Sequence, residues 1–227
     1  MIVYNAQPFF VNRVDAGLRL ANDLSPYRKE DVVVFAIPRG GVPVAVEVAK
    51  NLNSSLDLVI SRKIPIPSNS EAGYGAVTED GAIVLNQALF KRLRFSQEQV
   101  ERHAEEVKSE IKRRGLIYRN RLKPVSPEGK TAIVIDDGLA SGYTMMAAIK
   151  SLRRRKAAKV VAAVPVASAS AWELIKPAAD DLVCLIVAYV EYFAVASFYR
   201  QWYDLSDAEV IEALDNYTRE TGEKLHG

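Results

Sequence analysis

Short β-branched runs recur along this chain of 227 residues, and helical patterns separate most of them. Val32 to Ile37 ends at Pro38 and the Gly40-Gly41 pair, and a helical pattern follows from Val42 to Lys50. Leu56 to Ser61 is a second run. Ala132 to Ile135 is a third, followed by a glycine-bearing turn and a helix through Met145, Ile149 and Leu152. Val160 to Val166 and Leu182 to Ala188 are the fourth and fifth, with a helix from about Ala169 to Ile175 between them. Runs this short, apolar throughout and joined by helices, are strands buried on both faces of a parallel sheet. The pattern predicts an α/β fold with an open, mainly parallel sheet of five strands flanked by helices. Such sheets take their ligands at the carboxyl ends of the strands, so the residues just beyond each run bear on function.

Two stretches break the alternation. Pro65 and Pro67 open a polar segment, Arg62 to Asn86, that also holds Gly73, Gly75 and Gly81. Its later part, Ala76 to Leu85, has the pattern of a short hairpin turning at Glu79-Asp80-Gly81, and a loop of this length inside a compact fold is usually functional or mobile. Ser96 and Gln99 have capping-box spacing ahead of a charged helix to about Tyr118. Ser206 and Glu209 repeat that spacing before a helix reaching about Tyr217.

With 30 basic against 28 acidic residues the net charge is +2, without the basic excess that a nucleic-acid-binding surface needs. The cluster Arg153, Arg154, Arg155, Lys156 reads as the solvated last turn of a helix, where cations suit the dipole. Cys184 lies in the fifth run and is expected in the core. One cysteine forms no internal disulfide, which fits a reducing compartment. No charged start leads into an apolar signal core, and no apolar run approaches the ~18 residues of a membrane span. The expectation is a cytoplasmic protein without membrane contact. His103 and His226 have no metal-ligand spacing around them.

The third run continues as Asp136-Asp137-Gly138-Leu139-Ala140-Ser141-Gly142-Tyr143-Thr144. The strand delivers two adjacent carboxylates to the edge of the sheet, where they can accept hydrogen bonds from a vicinal diol. Gly138 and Gly142 let the backbone turn tightly. The loop then enters a helix, whose free N–H groups and positive dipole end suit a phosphate. Ser141 and Thr144 add hydroxyl donors. Diol acceptors and a phosphate cradle about one sugar apart describe a site for a ribose 5-phosphate.

This segment resembles the PRPP-binding motif of the type I phosphoribosyltransferases (PRPP is 5-phosphoribosyl 1-diphosphate): a strand, two acidic residues, a short loop, then Thr or Ser, Gly, any residue and Thr. The resemblance extends in the family's order over residues 30 to 190. With its Arg-Gly-Gly, Arg-Lys and Asp-Asp-Gly patterns, the chain is similar to predicted phosphoribosyltransferases of unassigned acceptor. It implies a Rossmann-like fold forming one domain over residues 1–227, with a core at about 30–190. A small hood would come from the chain ends, candidates being residues 1–10 and 189–203. Arg39, Gly40 and Gly41 stand where the family places its diphosphate loop, although by themselves they also read as an ordinary strand-to-helix turn. Arg62 and Lys63, read as ending the second strand, stand where members carry basic residues for the diphosphate. The segment after them takes the place of the family's mobile loop.

The resemblance further implies transfer of the 5-phosphoribosyl group from PRPP to a nucleobase or related nitrogen heterocycle, with release of diphosphate. PRPP would contact Arg39, Gly40, Gly41, Arg62, Lys63 and the loop Asp136 to Thr144. Asp136 and Asp137 would hold the ribose hydroxyls and help to place Mg²⁺ through water. Where some purine transferases carry a carboxylate three residues after the second acid, this chain has Ala140, leaving Glu71 and Glu79 as substitute candidates. The stretch Tyr189 to Tyr203 is the densest in aromatics, and Tyr192 and Phe193 are the first choices for contact with the acceptor. A homodimer is expected. A non-catalytic sensor of PRPP or a nucleotide stays open beside the enzyme, whereas a PRPP-forming kinase lacks a separate ATP-binding pattern.

Overall fold

The computed structural model describes residues 1–67 and 69–222, and the side chains of all of these except residues 69–72. Its elements are β1 (Ile2–Val3), α1 (Arg13–Asp23), β2 (Val32–Ala36), α2 (Gly41–Leu52), β3 (Ser55–Leu58), β4 (Ser61–Ile66), β5 (Asn69–Thr78), β6 (Ile83–Leu85), α3 (Gln87–Leu93), α4 (Gln97–Arg119), β7 (Thr131–Ile135), α5 (Tyr143–Arg154), β8 (Lys159–Ser168), α6 (Ala169–Ile175), β9 (Asp181–Ala188) and α7 (Asp207–Thr221). The main sheet runs β1-β9-β8-β7-β2-β3, parallel throughout. Within it β2 lies beside β7, and all ten residues of the two strands are buried.

Alternation along these two strands divides the interior. Val34, Ala36, Ile133 and Ile135 face a core shared with α2, α4 and α7, whereas Val33, Phe35, Ala132 and Val134 face Met145, Ile149, Leu152, Ala171 and Ile175 on α5 and α6. Both faces are covered, as the apolar runs require. Ala36 is level with Ile135 in the register. The segments after β2 and β7 therefore leave the sheet side by side.

The sheet has six strands, not five. The extra strand, β1, pairs Ile2 with Val187 and Val3 with Ala188 at the outer edge of β9. Two residues are too few to leave a periodic signature in sequence. The chain start reaches further, since Phe9 and Phe10 both donate backbone N–H to the Phe198 carbonyl and Arg200 N–H donates to the Phe10 carbonyl. Residues 1–10 and 189–203 thus meet over an aromatic cluster holding Phe10, Phe198 and Tyr199.

The polar segment after the second run folds as a separate antiparallel sheet, β4-β5-β6. The hairpin at Glu79-Asp80-Gly81 is present, with Thr78 N–H donating to the Ala82 carbonyl. The pairing of β4 with β5 carries a register irregularity at Pro65, as expected where a residue has no N–H to give the ladder. Arg62 and Lys63 consequently lie inside β4 rather than ending a strand of the main sheet, because β3 stops at Leu58 and the chain turns away. Both capping boxes form, at Ser96 with Gln99 and at Ser206 with Glu209.

Two smaller expectations shift. Arg153 pairs with Asp180, but Arg155 donates to the Val125 carbonyl and lies over the Phe35 ring, so the basic cluster is only partly solvated. Cys184 is half-buried at the rim of one core, where burial pushes its thiol up to about 12. Among the described residues no helix is long and apolar enough to cross a membrane.

Candidate active site

The loop from Asp136 to Thr144 is held from several sides. Leu139 is buried; its N–H donates to the Val166 carbonyl and its carbonyl accepts from Ser168 N–H. Ser168 Oγ donates to the Ala140 carbonyl at 2.8 Å. Gly142 caps α5 in the left-handed region, φ 79°, a conformation that favours glycine. Ala140 and Ser141 are exposed, while Tyr143 and Thr144 are half-buried. The first-turn N–H groups of α5 have no helical acceptor, so they present a cluster of donors at the positive end of the helix. Ser61 Oγ donates to the Thr144 carbonyl at 3.0 Å, which ties the start of β4 to this turn.

The two loops leaving β2 and β7 touch. A Cβ built on Gly40 would stand 1.9 Å from Asp137 Oδ2, and one on Gly41 2.6 Å from the Ile135 carbonyl oxygen. Only hydrogen at those positions lets the turn after β2 lie against the acidic pair. The Pro38–Arg39 peptide is cis. Arg39 Nη1 lies 3.9 Å from Asp207 Oδ1.

The carboxylates are unequal. Asp136 Oδ1 accepts from Asp137 N–H at 2.9 Å. Asp137 turns inward, its Oδ2 accepting from Arg13 Nε at 2.8 Å. Arg13 is itself buried, with Nη1 donating to the Tyr203 carbonyl and its guanidinium 3.9 Å from the centre of the Trp202 ring. Tyr199 Oη donates to the Asp137 carbonyl at 2.7 Å. Burial, reinforced by the charge of Asp137, pushes the Asp136 carboxyl well above the usual carboxylate range. Burial pushes Asp137 up as well, against the opposing pull of Arg13. Of the two adjacent carboxylates, one is thus anchored by a cation and the other is held beside it by a backbone N–H.

Arg13, Tyr199, Trp202 and Tyr203 were not singled out as site residues from the sequence. For Arg13 a signal existed: it shares a helical face with Ala16, Gly17, Leu20 and Ala21, all buried, and a charge at a core-facing position needs a partner. Val195 was missed too, although it stands 2.6 Å from the Cβ position of Gly138 and so overlies the loop.

Of the residues expected at the diphosphate, Arg62 pairs with Glu110 on α4 at 3.1 Å. Arg62 and Lys63 line a cavity of about 650 Å³ with Pro65, Arg102, His103 and Glu106. Tyr192 is 85% exposed, whereas Phe193 stacks obliquely on Phe198 at 5.4 Å. Glu79 is committed elsewhere: it pairs with Arg119 at 2.5 Å, in a hollow shared with Ser151, about 12 Å along α5 from its first turn at 1.5 Å per residue. The Glu71 side chain and His226 lie outside the described residues.

The sequence from residue 7 to residue 197 matches the family model described as the phosphoribosyl transferase domain. Two Mycobacterium tuberculosis proteins provisionally named phosphoribosyl transferases, MT0597 and Rv0571c, are each 36% identical over 214 residues, 94% of this chain and 48% of theirs. The chain thus spans about half the length of the curated relatives it matches. The crystal structure of TT1426 from Thermus thermophilus is similar with a TM-score of 0.77 at 36% identity, covering 92% of this chain and 98% of that one.

Proposed function

Because this chain belongs to the phosphoribosyl transferase family, we propose that it transfers the 5-phosphoribosyl group of PRPP to a nitrogen of a nucleobase or related heterocycle and releases diphosphate. The contact between Gly40 and the Asp137 carboxylate carries this reading. It joins the loops of two adjacent strands into one ligand platform, one offering backbone beside Arg39, the other acids followed by a helix N-terminus.

In this assignment the amides and hydroxyls of Gly138 to Thr144, through Leu139, Ala140, Ser141, Gly142 and Tyr143, surround the 5-phosphate. Asp136 and Asp137 hold the ribose hydroxyls. Bond breaking at the anomeric carbon runs ahead of bond making, so positive charge grows on the ribose ring beside them. Arg39, the Gly40-Gly41 backbone, Arg62 and Lys63 oppose the charge of the departing diphosphate, an electrostatic contribution set in place before reaction. Mg²⁺ fits as an ion held mainly by substrate oxygens and water, because Asp136 and Asp137 gather no third ligand-type side chain among the described residues. Bound there, it would neutralise the leaving diphosphate. With Glu79 paired to Arg119, that carboxylate is withdrawn as the acid or base at the acceptor.

We assign residues 1–227 to one domain whose hood, residues 1–10 with 189–203, covers the acceptor, with Tyr192 and Phe193 as contacts. A cytoplasmic homodimer is part of the same reading. The test is diphosphate release from PRPP and Mg²⁺ across a panel of nucleobases. Release with at least one base is expected, and saturable PRPP binding with no turnover on any base would favour a sensor.

A further inference from the structure

Four arginines from three elements converge on two carboxylates beside the proposed diphosphate loop. Glu110 of α4 accepts from Arg113 Nε at 2.8 Å, from Arg114 Nε at 3.0 Å, and faces Arg62 Nη1 of β4 at 3.1 Å. Asp207, the first residue of α7, pairs with Arg113 at 3.1 Å and faces Arg39 at 3.9 Å, while also accepting from the Tyr118 hydroxyl. The pairs form one chain from the turn after β2 to β4: Arg39, Asp207, Arg113, Glu110, Arg62. Four guanidinium charges face two carboxylate charges.

That imbalance is unlike an ordinary structural ion pair, in which charges cancel. The Arg39 contact is also too long for a hydrogen bond, so Asp207 does not use up its donors. Arg39, Arg62 and Arg113 keep 33%, 40% and 49% of their side-chain surface accessible. Arg62 and Glu110 also wall the 650 Å³ cavity between β4 and α4, which gives an anion room to approach the Arg62 end of the chain. Planar guanidiniums bind phosphate oxygens in fork geometry, and two or more spaced along a line suit a chain of phosphates.

We propose that Arg113 and Arg114 of α4 join Arg39 and Arg62 in a subsite for a di- or polyphosphate anion, with Glu110 and Asp207 holding the guanidiniums in position until that anion displaces them. This assignment rests on the reading of the Asp136 to Thr144 loop as a ribose 5-phosphate site and adds α4 and α7 to it. The carboxylates have two effects. They fix the arginines in a ready geometry, and they compete with the ligand. Removing an arginine therefore weakens anion binding, whereas neutralising Glu110 strengthens it.

Calorimetric titration of the intact protein with inorganic diphosphate, and separately with ribose 5-phosphate, tests this. Wild type is expected to bind diphosphate with an affinity that falls as salt rises. Arg113→Gln, at an exposed position, is expected to lose about tenfold in diphosphate affinity, the loss of one charge-assisted hydrogen bond, with ribose 5-phosphate affinity unchanged. Glu110→Gln is expected to bind diphosphate several-fold more tightly. Diphosphate binding in Arg113→Gln equal to wild type overturns the proposal. So does a loss in Glu110→Gln matching that of Arg113→Gln, which marks a purely structural network, or wild type that binds ribose 5-phosphate but not diphosphate. Wild type that binds diphosphate but not ribose 5-phosphate overturns instead the loop reading beneath it.

Discussion

The Asp136 to Thr144 loop and the shell that anchors Asp137 differ in where their information lies. The loop is contiguous: strand, acids, turn and helix start follow one another, and its local conformation needs only Gly142 in the left-handed region. The shell is assembled from distant residues. Arg13 lies 124 positions from Asp137, and Tyr199, Trp202 and Tyr203 arrive from beyond the last strand of the sheet. In the proposed function the loop supplies groups for a ligand, and the shell orients one of them, the Asp137 carboxylate. A motif therefore identifies a site before it describes the state of its residues.

Breaking the shell should cost more stability than trimming the loop's surroundings. Arg13→Met leaves a buried carboxylate without its cation, and about 3–5 kcal/mol of folding stability is expected to go, read by denaturant unfolding. Asp137→Asn is expected to abolish most turnover, and it also strands the Arg13 charge. The double variant Arg13→Met/Asp137→Asn should therefore be more stable than the sum of the single losses predicts. Additive losses would mean that the pair is not coupled as the geometry indicates. Next in size is Gly40→Ala, whose new methyl must displace the Asp137 carboxylate. A loss of about 1–3 kcal/mol is expected from such overpacking, together with weaker PRPP binding by calorimetry.

Smaller effects sharpen the contrast. Tyr199→Phe removes one hydrogen bond to the Asp137 carbonyl, with about 1 kcal/mol expected in the same unfolding measurement. Tyr192→Ala, at an exposed position, should stay within about 0.5 kcal/mol of wild type. Its consequence is expected in the KM for the acceptor and not in that for PRPP.

Much of the central sheet was legible because burial on both faces writes itself into Val32 to Ile37, Ala132 to Ile135 and Val160 to Val166 as unbroken apolar runs. The capping boxes at Ser96 and Ser206 were legible for a local reason as well: both partners lie three residues apart. What escaped was non-local. β1 is two residues that become a strand only because β9 offers an open edge. Lys63 and Arg62 look like the end of a strand until β5 pairs with them. The position of Arg13 on an apolar helical face signals a need for a partner, but not that the partner is Asp137, 124 positions away. The aromatic stretch Tyr189 to Tyr203 showed its density but not its division, with Phe198 and Tyr199 inside and Tyr192 in solvent.

The claim on which the rest depends is that Asp136, Asp137 and the first turn of α5 clasp a phosphorylated ribose. Titration of PRPP with Mg²⁺ into wild type and into Asp136→Asn/Asp137→Asn, each verified as folded by circular dichroism, tests it most directly. One saturable site in wild type, weakened by at least about tenfold in the variant as charge-assisted contacts to the sugar are lost, is the expected result. Equal binding by both proteins, or no binding by wild type, would contradict it.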